Sequence, residues 1–141
     1  MRTRTITISV AIAVAVFVLA ACSGSRPSGG EKIIKSTKAG DTTIALLSAS
    51  GEIKSGENEL MLSFTAASGK PVDVPAASLK FHMPAMGSMA EMNDVATLTT
   101  TDTPGKYRAK VDIEVDGTWE VIIDYQGPQG TGQARMTVQA K

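Results

Sequence analysis

Between Lys106 and Val115 the chain is apolar at every second residue: Tyr107, Ala109, Val111, Ile113 and Val115 alternate with Lys106, Arg108, Lys110, Asp112 and Glu114. A period of two belongs to a strand with one buried face, whereas a helix would repeat about every 3.6 residues. The same period recurs at Leu60, Leu62, Phe64 and Ala66, and again at Trp119, Val121, Ile123 and Tyr125. Asp116-Gly117 separates two of these runs. An Asp-Gly pair in that position is a strong hairpin signal, because both turn positions take positive φ, so the two flanking strands are expected to pair.

Weaker strands of the same kind are expected at 42–49, 77–83, 94–101 and 133–139, with a further candidate at 32–37. Turn residues punctuate them at Ser68-Gly69-Lys70-Pro71, Thr103-Pro104-Gly105 and Gly127-Pro128-Gln129-Gly130. No helical period follows residue 30. The expectation is an all-β chain: an antiparallel β-sandwich of about seven short strands. A length of 141 residues accommodates one such domain.

The N-terminus has a different grammar. Basic Arg2 and Arg4 precede an apolar stretch from Ile6 to Leu19, which ends in the small residues Ala20-Ala21 before Cys22. This is the layout of an export signal, expected as a cleaved helix over residues 1–21. The stretch is shorter than the roughly 20 residues of a spanning helix and lacks a basic flank on its far side. Leu19-Ala20-Ala21-Cys22 resembles the lipobox of bacterial lipoproteins, which implies lipidation of Cys22 and cleavage before it. Residues 22–30 then read as a lipidated cysteine with a Gly/Ser-type tether, and 31–141 as the domain. Anchoring by two or more acyl chains holds a protein on a membrane without inserting polypeptide.

The expected location is the cell envelope, on the outer side of the cytoplasmic membrane. In a two-membrane envelope, Ser23 after the lipidated cysteine resembles an outer-membrane sorting signal, which places the domain in the periplasm. Cys22 is the only cysteine, so the domain is expected to fold without disulfides. Of 14 basic and 14 acidic side chains, Arg2 and Arg4 leave with the signal, so the mature part has a mild acidic excess. That balance, with no basic cluster, supplies none of the phosphate-neutralising charge that nucleic-acid binding needs.

His82-Met83-Pro84-Ala85-Met86-Gly87-Ser88-Met89-Ala90-Glu91-Met92 holds the only histidine and four of the seven methionines. At an ordinary methionine frequency of about 2%, a window of this length would carry about 0.2. Parity with Leu79 and Phe81 turns Met83 inward, and gap-filling in the core is the plain reading of a methionine there. Beyond it, Pro84 and Gly87 break the strand, so Met86, Met89 and Met92 are expected on a loop or a single helical turn at the edge of the sandwich. Thioether sulfur and imidazole nitrogen suit copper(I), whereas calcium or magnesium would want carboxylates. Two or three of Met83, Met86, Met89 and Met92, with His82 as a nitrogen donor, are the expected copper(I) ligands.

Trp119 reads as a core anchor. The inventory contains no catalytic constellation: one histidine, no free thiol and no phosphate loop or nucleophile elbow. The chain is not expected to be an enzyme.

From Gly56 to Tyr125 the sequence resembles the YtkA-like domain, related to the FixH-like proteins. The resemblance rests on Gly56-Glu57-Asn58, Gly69-Lys70-Pro71-Val72, Met83-Pro84-Ala85-Met86-Gly87, Gly105-Lys106-Tyr107 and Gly117-Thr118-Trp119-Glu120-Val121. It implies an immunoglobulin-like sandwich in an exported or membrane-attached protein associated with copper handling. It also implies a copper-transport or oxidase-assembly protein as partner. The resulting expectation is a lipid-anchored copper(I) chaperone, buffer or efflux accessory. Two alternatives stand beside it: an immunoglobulin-like interaction module whose loop is an apolar contact, and an oxidant sink that cycles methionine through its sulfoxide.

Overall fold

A computed structural model describes residues 30–141; the expected signal, Cys22 and the tether up to residue 29 lie outside the described residues. The alternating runs become strands. In chain order these are β1 (Lys32–Ala39), β2 (Thr42–Ser48), β3 (Gly56–Ala66), β4 (Ala76–Met83), β5 (Met92–Val95), β6 (Thr97–Thr100), β7 (Lys106–Ile113), β8 (Gly117–Gly127) and β9 (Gly130–Ala140). They form a five-stranded sheet, β1-β2-β3-β7-β6, and a four-stranded sheet, β5-β4-β8-β9. Every pairing between neighbouring strands is antiparallel. Apart from β1, which extends the first sheet, the two strand orders are those of an immunoglobulin-like sandwich.

The core lies between the sheets, where Phe64, Leu79, Phe81, Ile113, Trp119, Val121 and Ile123 are essentially inaccessible. Alternation accounts for this: Tyr107, Ala109, Val111 and Ile113 of β7 are buried, while the residues between them face out. Tyr107 and Tyr125 flank the Phe64 ring, with centroids at 6.4 and 5.2 Å. The Tyr107 hydroxyl donates to the Val74 carbonyl, which ties the β3–β4 connection to the core.

The expected hairpin across Asp116-Gly117 does not form. β7 pairs with β3 and β6 in one sheet, and β8 pairs with β4 and β9 in the other. Both runs bury one face in the same core, but from opposite sides, and local alternation is identical for two strands that pair and two that face each other. The crossing is pinned by Trp119, whose indole Nε1 donates to the Val115 carbonyl at 3.1 Å. The tight hairpins lie elsewhere. Gly40-Asp41 joins β1 to β2 and Pro128-Gln129 joins β8 to β9.

The single strand expected at 94–101 is two strands. It breaks at Ala96, which is buried and donates its N–H to the Leu79 carbonyl at 2.9 Å. β5 stays with β4, whereas β6 crosses to β7. This split, together with β1, raises the expected count of about seven to nine.

Three of the four edge strands are blunted. β1 carries Lys32, Lys35 and Lys38 and has a register shift between Ile33 and Lys35, while β5 and β6 are four residues each. Lysines, irregular register and short length all discourage another chain from adding to an edge.

Candidate metal centre

The methionine segment is the link between β4 and β5. Along β4, Leu79, Phe81 and Met83 point into the core, and Lys80 and His82 point out. Pro84 follows; it has no N–H to give a ladder and ends the strand. The chain then reverses over Gly87-Ser88. Met86 and Met89 exchange backbone hydrogen bonds, 3.1 Å from the Met86 N–H and 2.9 Å from the Met89 N–H. Gly87 has φ 59° and Ser88 does not have positive φ. That sign pattern belongs to a type II′ turn, whose first central position favours glycine. The return arm re-enters the sheet as β5, with Met92 opposite Met83 and Asn93 opposite His82.

Two cross-strand methionine pairs result, one at the base of a hairpin and one at its tip. Directly opposed residues put their side chains on the same side of a hairpin, with Cβ atoms about 5 Å apart. The base pair belongs to the core: Met83 is 2% exposed and Met92 packs half-buried against it. Its place is made by Gly117. A Cβ there would sit 3.0 Å from Met83 Cε, and the backbone at Gly117 has φ 138°. The tip pair is open, with Met86 54% and Met89 44% exposed.

His82 leaves β4 on the face opposite Met83. Its Nδ1 lies 2.9 Å from Asn93 Oδ1, and since that oxygen only accepts, Nδ1 is the donor. The strand therefore separates His82 from Met83 and joins Met86 to Met89. All of Pro84 to Glu91 is exposed. Among the described residues no three His, Cys, Asp or Glu side chains converge as a metal site.

One acidic group lies near its base. Asp94, opposite Phe81 in β5, has one carboxylate oxygen buried without a hydrogen-bond partner. Burial holds its carboxyl above the usual range; a hydrogen bond with the Glu114 backbone pulls it down and the Asp112 carboxylate pushes it up. An inward charge on an edge strand also disfavours the addition of a further strand. Two surface grooves lie away from the tip. One of 450 Å³ is lined by Glu57, Glu59, Lys110 and Asp112, and another of 590 Å³ by Ser78, Asp124, Tyr125 and Gln133.

A family model described as YtkA-like matches residues 36–124, more than half of the chain. The chain belongs to the YtkA-like family. No curated protein and no solved structure gives a significant match. The match covers β2 to β7 whole and reaches into β1 and β8, so the methionine hairpin lies inside the YtkA-like domain.

Three residues outside the expected ligand set shape the YtkA-like site: Gly87 in the turn, Asn93 against His82, and Gly117 beneath Met83. Gly87 was within reach of sequence reasoning, since Gly-Ser between two strand-like arms is a two-residue turn signal. Asn93 and Gly117 act through pairing and packing across residues 11 and 34 positions away, which carry no local mark.

Proposed function

We propose that this domain is an exported, lipid-anchored carrier or buffer of copper(I), with Met86 and Met89 as its entry ligands. One observation carries the reading: two neighbouring thioethers, 54% and 44% exposed, are joined by paired backbone hydrogen bonds at the tip of a tight turn. Exposing two large apolar side chains together at a projecting tip costs hydrophobic free energy, and a soft ligand offers a return for it. Thioethers are neutral, so they bind without releasing a proton and keep their affinity as pH falls. The turn holds the donors side by side before the ion arrives, which lowers the ordering cost of binding.

A two-donor grip leaves coordination positions open for an acceptor. This favours transfer over storage and fits a chaperone, buffer or efflux accessory whose partner is a copper-transport or oxidase-assembly protein. His82, four residues before Met86, is the nearest imidazole donor in sequence. Lipidation of Cys22 would hold the domain on a membrane face outside the cytoplasm, on the outer membrane facing the periplasm in a two-membrane envelope. The role proposed is binding, not catalysis.

The test is an anaerobic competition titration with copper(I) against a chromogenic chelator, for the wild type and for Met86→Leu/Met89→Leu. Leucine preserves apolar volume and removes sulfur, so the double variant also separates a metal site from an apolar docking tip. Binding lost in a folded double variant supports the reading. Equal binding in both proteins, or none in either, overturns it.

A further inference from the structure

The tip offers two exposed thioethers, and the other two methionines of the segment are held at its base. Met83 is closed in the core, Met92 packs against the core, and His82 leaves the opposite face of β4 from Met83. Copper(I) is a d10 ion without a ligand-field preference and commonly completes its shell with three or four soft donors. Met86 and Met89 therefore supply two of these donors. A surface that can approach the tip closely and bring the same kind of donor would complete the shell.

A second copy of this chain meets both conditions. From Met83 to Ala90 no residue is charged, so two tips can meet without like-charge repulsion, which would otherwise act strongly at such short range. The tip is also slim. Gly87 has no side chain, and nothing lies within 4 Å of the position a Cβ would take there. Two-fold packing is self-complementary, placing each patch against its own copy. A two-fold axis through a bound ion would set Met86 and Met89 of one chain against the same pair of its partner and surround the ion with four thioethers.

We infer that copper(I) bridges two copies of this protein tip to tip, each supplying Met86 and Met89. The inference rests on the copper(I) reading and adds the source of the remaining ligands. It makes the metal the glue of the dimer: without it, each copy presents only the small tip of one turn. Binding then depends on chain concentration, since the site is assembled from two molecules.

The experiment uses the full chain purified in detergent, titrated anaerobically with copper(I). Metal content is measured after gel filtration, and protein mass by sedimentation with and without metal. The expected result is saturation at about one ion per two chains, with a monomer becoming a dimer on metal addition and half-saturation moving to lower copper as chain concentration rises. Met86→Leu/Met89→Leu should stay monomeric with or without copper. Saturation at one ion per chain on a monomer overturns the bridge and leaves the copper(I) reading standing. A dimer of equal strength without copper also overturns it. No binding at any chain concentration removes the bridge and the copper(I) reading together.

Discussion

Met83 Cε rests against Gly117, at the point where the chain crosses from one sheet to the other, and an alanine Cβ there would lie 3.0 Å from that methyl. The base of the methionine hairpin is thus fastened to the β7–β8 crossing, while its tip is free. Gly117 is required twice, for this close approach and for φ 138°.

Gly117→Ala should lower stability by about 1–3 kcal/mol, chiefly through the backbone conformation. Adding Met83→Ala relieves the contact but not the φ. A double-mutant cycle in urea should therefore show a coupling smaller than the single Gly117 cost. A Gly117→Ala variant as stable as the wild type would contradict the placement of this turn.

Methionines of one short segment should separate into two energetic classes. Met83→Ala empties a site only 2% exposed and should cost about 2–5 kcal/mol. Met86→Ala and Met89→Ala, at the exposed tip, should each fall within about 0.5 kcal/mol of wild type. Chemical denaturation of the three variants checks this directly.

Oxidation should follow the same division. Peroxide transfers one oxygen to an accessible thioether, giving a sulfoxide and water. Peptide mass spectrometry over a peroxide time course should find Met86 and Met89 modified well before the buried Met83 and Met136. Uniform oxidation would contradict the burial of the base pair and would also remove the oxidant-sink alternative.

Gly87→Ala should loosen the tip without touching the core. Alanine at φ 59° carries left-handed strain of about 1–2 kcal/mol. Local opening should then become about 5- to 30-fold more frequent. Amide hydrogen exchange at Met86 and Met89 reads this, and copper(I) affinity should fall with it.

Asp94 makes stability depend on pH in an unusual direction for a carboxylate. Its folded carboxyl titrates above the ordinary 3.8 because of burial, so between those values the folded state holds more protons than the unfolded one. Stability therefore falls as pH rises through that window, and the full penalty is present at neutral pH. Asp94→Asn should be more stable than wild type at pH 7, with the difference shrinking as the pH falls through the window towards 3.8. An Asn variant that is less stable at pH 7 would overturn this assignment.

The sequence by itself determined that the domain is a sandwich of strands, because a period of two is written locally in each run, as at Tyr107 to Ile113. It also determined that Trp119 is core and that Met83 turns inward, since both follow from parity within one strand. Family membership was legible through Gly56-Glu57-Asn58 and the motifs after it, and the match over 36–124 bears it out. Tertiary structure decided the rest. Whether β7 pairs with β8 or faces it across the core depends on which neighbours already occupy their edges, and alternation is the same in both cases. The break at Ala96 was hidden because both halves of 94–101 are short and polar. The division of the methionines into a buried base and an exposed tip required the register that sets Met83 opposite Met92 and Met86 opposite Met89. Register belongs to a pair of strands, and only the folded chain brings the pair together.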